Sequence, residues 1–370
     1  MRKKKILYLD QFAVSNMYNS APNHSWGVLR EIIQEKVRNG VLSCPMPLDH
    51  LYGTVGRSNK DKNGNQSEEY SRMIIEQHNF FRDLANGTAF YGYEEVAATE
   101  IIMLLRQGKI NPMKSIYLHK ALYAEIDISD IYEDGHVFNE ENHKYNRDLF
   151  QSANEIREIT KPLNNDLRIQ KKESSDPIFL KSLLYLQASK YLEGLKDFYN
   201  KGFVKVRGVK CGSFELPHKV DILIYNLTKK RINKKETEKL IHEIETNGFE
   251  RIPSMNIRSL LSADIALYDK QQVPNDEIDL DRAAVGLRIS DYFFADNDKK
   301  LAIEKYNLDK EYHTKVFSGK KESVLSLIEE LALLYFLLYV NHLFKIDNQI
   351  NIPTDFQQKC RLSVGLLFPK

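Results

Sequence analysis

The chain has 370 residues, 42% of them hydrophobic, and its 53 lysines and arginines against 51 acids leave a formal net charge of +2. That composition excludes a disordered polymer and excludes nucleic-acid binding by bulk charge, so any electropositive surface must be local. The length allows two domains, or one domain carrying a large insertion. Cys44, Cys211 and Cys360 are far apart and match no CxxC or zinc spacing, which excludes a disulfide scaffold and predicts a reduced, cytoplasmic protein.

The chain opens on Arg2-Lys3-Lys4-Lys5, then the apolar run Ile6–Leu9, then Asp10. That run is too short for an export signal and reads as a strand whose end the lysines solubilise. A helix is predicted over Trp26–Arg38 from the apolar positions Val28, Leu29, Ile32, Ile33 and Val37, with Gly40 ending it. Val41–Pro45 reads as a second short strand, Pro47–Tyr52 as the start of a helix, and the polar, aperiodic residues 57–69 as a loop. Helical patterning resumes over Tyr70–Leu84, Thr88–Tyr91 reads as a third strand, and a helix containing Glu100 follows.

From Met113 to Ile252 the pattern is mainly helical and charged, with one β-like piece at Phe203–Val206. Its cluster Lys229, Lys230, Arg231, Lys234 and Lys235 is a candidate patch for nucleic-acid phosphates, although the interleaved Glu236 and Glu238 are the pattern of a solvated helix face, the commoner origin of such a run. Near the end, Ser323–Phe344 reads as an apolar helix. Its charge-free stretch Leu331–Val340 falls short of the roughly 20 residues that span a bilayer, so no membrane contact is expected. A helix apolar on all sides has to be covered by the core or by a second copy of the chain.

Two apolar runs end in an acid, Ile6–Leu9 at Asp10 and Tyr292–Ala295 at Asp296. Runs without alternation are strands covered on both faces of a parallel sheet, and such sheets carry their sites beyond the carboxyl ends. If the two strands are neighbours, the acids face each other across one crevice. A cation relieves their repulsion there, and an oxygen-rich site selects Mg²⁺ or Mn²⁺, which points to metal-dependent phosphodiester chemistry. Upstream, Leu280, Ala283, Ala284 and Leu287 fall at helical spacing, which places Asp279 at the start of a helix. The bland readings are an N-cap at Asp279, contributing roughly 1 kcal/mol, and turns after strands at Asp10 and Asp296.

The opening ILYLDQFAVS and the late stretch NDEIDLDRAAVGLRISDYFFADNDKKL resemble the first strand and the closing helix, strand and acid-bearing turn of PIN-like nucleases. The resemblance covers about residues 1–105 and 255–305. It implies an α/β fold, a three-layer α/β/α arrangement with a central parallel sheet, built from residues 1–112 and 255–310. A mainly helical insertion or second domain (113–254) interrupts it, and a C-terminal helical segment (311–370) carrying the apolar helix follows. The family's acids map onto Asp10, Asp279 and Asp296, which would hold Mg²⁺ or Mn²⁺ and carry catalysis, with Asp291 and Asp298 as auxiliaries.

One departure stands out. The family's glutamate on the helix after the second strand is missing from Pro45–Thr54, where Asp49 or His50 could stand in, Gly53 could occupy its place, and Glu100 is a more distant substitute. The resemblance implies RNA as substrate, with single-stranded DNA the lesser choice. By analogy, a PIN-like domain beside a large helical region implies a toxin or phage-defence effector with a regulatory protein partner. The missing glutamate leaves open a module that binds RNA or a protein without cleaving, and the apolar helix leaves open homo-oligomeric assembly. No GxxxxGK[ST], GxGxxG or HExxH is present, and no Asp-x-Asp follows the first strand, so nucleotide-binding loops, zincins and haloacid-dehalogenase phosphatases are not supported.

Overall fold

A computed structural model describes residues 4–47, 68–110, 118–120, 176–203, 205–211, 214–267 and 274–346. Asp49, His50 and Gly53, the helix expected to start at Pro47, and residues 57–67 of the expected loop lie outside the described residues, apart from Pro47 itself. The strands are β1 (Lys5–Leu9), β2 (Leu42–Ser43), β3 (Thr88–Phe90), β4 (Leu118–Lys120), β5 (Gly208–Cys211), β6 (Phe214–Pro217), β7 (Tyr292–Ala295) and β8 (Lys315–Ser318). The helices are α1 (Gln11–Asn19), α2 (Ser25–Arg38), α3 (Glu68–Ala85), α4 (Tyr93–Gln107), α5 (Asp176–Lys201), α6 (Lys219–Lys229), α7 (Lys234–Asn247), α8 (Pro253–Leu267), α9 (Pro274–Ile289), α10 (Asn297–Lys305), α11 (Leu308–Glu311) and α12 (Lys321–Ile346).

This is a mixed α/β structure, mostly helical, around a four-stranded parallel sheet of order β2-β1-β7-β8. β1 and β7 lie side by side with Leu7 opposite Tyr292 and Leu9 opposite Phe294. β3 continues the sheet beyond β2 through a parallel bridge between Met46 and Ala89. Pairing of the first strand with a strand nearly three hundred residues later brings the two acid-ended runs together.

The side chains of β1 explain why its sequence shows no polar alternation. Leu7 and Leu9 join Tyr292, Phe294 and Phe317 on one face, under α1, α2, α3 and the first half of α12. Ile6 and Tyr8 join Phe293 and Ala295 on the other, under α4, α6, α7, α8 and α9. Both faces are dry, so every position is apolar. The described helices of the central segment thus share the core of this second face.

α9 reaches the sheet at Gly286. A Cβ there would stand 2.6 Å from a ring carbon of Tyr8 and 2.7 Å from one of Phe293. Those two rings stack at 4.6 Å, and only a residue without a side chain lets the helix backbone rest on them. Gly286 therefore sets how close α9, and the acid it carries, comes to β1.

Several expectations need correction. α9 begins at Pro274, a residue suited to the first helical position, so Asp279 lies within the helix instead of capping it. The β-like piece expected at Phe203–Val206 is displaced into the β5–β6 hairpin, which begins at Gly208. β8 was not anticipated, because Lys315–Ser318 is short and opens on a lysine, as edge strands do. α12 packs Val324, Leu327, Ile328 and Leu331 into the core, and among the described residues no helix is long and apolar enough to cross a membrane.

Candidate functional site at the carboxyl edge of the sheet

Asp10 follows β1 directly and caps α1, its Oδ1 accepting from the Gln11 amide at 2.6 Å. Its own amide donates to the Phe294 carbonyl at 3.0 Å, which ties it to the neighbouring strand. Asp296 follows β7 and caps α10, its Oδ1 accepting from the Lys299 amide at 2.7 Å. The bland reading of both acids is therefore correct as far as it goes: each stabilises a helix start. In each, that amide bond engages Oδ1.

The side chain of Lys299 stands among the acids. Its Nζ is 3.5 Å from Asp279 Oδ2 and 3.6 Å from Asp296 Oδ2, and the lysine side chain is only 15% exposed. These are ion pairs, too long for good hydrogen bonds. Burial works against the ammonium, yet Asp279, Asp10 and Asp296 together raise its pKa above the ordinary lysine value. Burial likewise raises the Asp10 carboxyl, with Lys299 opposing and Asp279 adding to the rise. Arg282, one turn after Asp279 on α9, places Nη1 3.5 Å from Asp279 Oδ1. Asp10, Asp279 and Asp296 are thus brought to one edge, as expected, around a cation.

Asp291 is not part of this group. It precedes β7 and so lies at the amino edge, where its carboxylate accepts from Lys5 Nζ at 3.0 Å and from the Ile6 amide at 2.9 Å. Asp298 is exposed in the first turn of α10. Glu100 is no substitute for the missing glutamate: it is fully buried, with Arg288 Nε donating to Oε1 at 2.9 Å and the Ser254 amide and hydroxyl donating to Oε2 at 2.8 and 2.7 Å. It joins α4, α8 and α9.

The basic cluster is also elsewhere. Lys229 to Lys235 straddle the turn from α6 to α7, where Arg106 donates to the carbonyls of Lys230 and Arg231 and pairs with Glu236 at 2.8 Å. Arg106 ends α4, and at 1.5 Å per residue that is roughly 20 Å from Tyr93, the end of the helix that borders Arg282. Two of the lysines lie over tyrosines, Lys229 on Tyr225 at 4.4 Å and Lys234 on Tyr199 at 4.6 Å.

Sequence reasoning missed Lys299 and Arg282. Both are three residues after an acid, Asp296 and Asp279, and that spacing on a helix was the available signal. It also missed a cleft beside them, with about 310 Å³ of empty volume and with Tyr8, Phe90, Tyr91, Tyr93 and Arg282 in its lining. Asp281 contributes to the cleft wall while accepting from Arg258 Nε at 2.6 Å and from Lys219. Arg258 in turn lies 5.4 Å from the centre of the Tyr93 ring.

Three carboxylates supply hard oxygen donors, the donor chemistry of Mg²⁺ and Mn²⁺. As placed, the Lys299 ammonium holds the position of positive charge. Among the described residues no three His, Cys, Asp or Glu side chains stand close enough together to hold an ion. The acids suit the ion by chemistry and would share it only with the flexible lysine stem turned aside. Comparison with models of known families, with curated proteins and with solved structures returns no match to this chain.

Proposed function

We propose that this chain is a metal-dependent endonuclease of the PIN-like type, acting on RNA. One observation carries the reading: Asp10 and Asp296 leave adjacent parallel strands at the same edge, and Asp279 joins them around one buried cation. Asp10, Asp279 and Asp296 are the residues that would hold Mg²⁺ or Mn²⁺, which supplies water activation and neutralises charge on the leaving oxygen. The helix caps at Asp10 and Asp296 fix one oxygen of each carboxylate and leave the other for the site. Lys299, held protonated by its three acids, would offset phosphate charge at the same edge.

A second reading, a PIN-like module that binds RNA without cleaving it, is favoured by the position of Lys299 among the acids. Incubation of the full chain with single-stranded RNA in Mn²⁺, beside an Asp10→Asn/Asp296→Asn variant, separates the two. Cleavage should fall at least ~100-fold in the variant, as expected when groups that stabilise transition-state charge are removed. Cleavage that survives there sinks the site assignment, and a folded wild type that cleaves nothing leaves the binding module.

A further inference from the structure

The cleft beside the acids has a composition that the proposed chemistry does not use. Tyr8, Phe90, Tyr91 and Tyr93 contribute to a lining of about 310 Å³, and one charged wall of it is Arg282. Arg282 is also the residue that pairs with Asp279 at 3.5 Å and acts electrostatically on Asp10, so cleft and acid edge share a side chain. Flat aromatic rings with a guanidinium alongside are how proteins hold unpaired bases, since every base has a π-face and arginine adds a cation–π contribution. A base held in a double helix could not enter a cleft of this kind, because its faces are already stacked and its edge is paired.

We propose that the cleft receives one unpaired base of single-stranded RNA, stacked on Tyr91 or Tyr93, so that the adjoining phosphodiester is presented to Asp10, Asp279 and Asp296. The proposal rests on the nuclease reading for the role of the adjoining phosphate, while base binding stands on the cleft alone. Tyr93 is buried at 5% exposure, with Arg258 against it, and forms the fixed floor. Tyr91 is only partly buried and is the ring that can be changed without opening the core.

The test measures binding, not turnover. The full-length Asp10→Asn/Asp296→Asn chain is titrated into a fluorescein-labelled eight-nucleotide single-stranded RNA, with anisotropy as the readout, and the series is repeated with one abasic nucleotide placed at each position in turn. One abasic position should weaken binding roughly 10-fold, the size of one base–aromatic stack. The same position should cost nothing once Tyr91→Ala or Tyr91→Leu is added, and should keep its cost in Tyr91→Phe. The leucine variant keeps apolar packing, so a fold defect in the alanine variant does not decide the result.

No position-specific loss, or a loss of equal size in the leucine variant, overturns the cleft proposal, as does an absence of RNA binding. Cleavage by wild type without any coupling to Tyr91 removes the cleft and keeps the nuclease. Coupling without cleavage does the reverse.

Discussion

Glu100 and the acids of the sheet edge are all withdrawn from water to some degree, and their surroundings differ in a way that separates scaffold from site. Glu100 is fully buried, and each of its oxygens is matched: Arg288 serves one, Ser254 serves the other twice. Burial raises its pKa and Arg288 and Ser254 oppose the rise, so the pair is a closed unit. At the edge, three carboxylates share Lys299 at ion-pair distance, and Asp279 and Asp296 remain 34% and 48% exposed. Negative charge there is under-compensated and open to solvent. A buried acid with all its acceptors matched holds helices together, whereas acids that outnumber their cation at a sheet edge are available to a ligand.

The comparison can be broken most forcefully at Glu100. Glu100→Ala leaves Arg288 buried and unpaired, and should lower unfolding free energy by about 3–5 kcal/mol in urea titrations. A loss below 1 kcal/mol would mean that the closed unit contributes little.

His78 is a buried group of another kind, kept neutral: burial first, then Arg82, lowers its pKa to about 4. Its ordinary value is 6.5, so between about pH 6.5 and 4 the unfolded chain binds a proton that the folded chain refuses. Stability should therefore fall as pH drops through that window, by up to roughly 3 kcal/mol. His78→Gln should flatten the slope, and an unchanged slope in thermal unfolding from pH 6.5 to 5 would assign the acid loss elsewhere.

Lys299→Met tests the open unit. Without divalent ions it should cost about 1–2 kcal/mol, less than a sealed pair because the acids are partly hydrated. Added Mn²⁺ should then raise the melting temperature of the variant more than that of the wild type, since the ion replaces the missing charge. Equal shifts in both would show that lysine and metal do not share the position. Smallest of all, Asp291→Asn should cost under ~1 kcal/mol and leave RNA cleavage intact, because its partner Lys5 is exposed and an amide oxygen can still accept from Ile6.

Asp10 and Asp296 were legible because a strand dry on both faces leaves an unbroken apolar run, and the first polar residue after it marks the carboxyl end. Asp291 was misplaced by the same proximity: an acid before a strand stands at the amino edge, a strand's length from the site. Asp279 was recognised as an acid of the late helix, but Pro274 starts that helix a turn earlier than the apolar spacing implied. Lys299 and Arg282 could not be identified as site residues, since the sequence gives many i+3 charge pairs and only the packing of α9 and α10 against β1 and β7 aims these two at a common point. The aromatic cleft was hidden for the same reason. Tyr8, Phe90 and Tyr93 look like core residues, and most of each ring is.

The pairing of β1 with β7 also has a consequence for the chain as it is made. Asp10 emerges from the ribosome at the outset, while the strand that flanks it, and both of the other acids, are the product of late translation. At 5–20 residues per second the interval between Asp10 and Asp296 is roughly 15–60 s. Through that time the first strand has no inner neighbour, and the carboxylates cannot converge. An RNA-cutting chain with its site split in this way is inert towards the message and ribosome producing it until nearly three hundred residues have been joined.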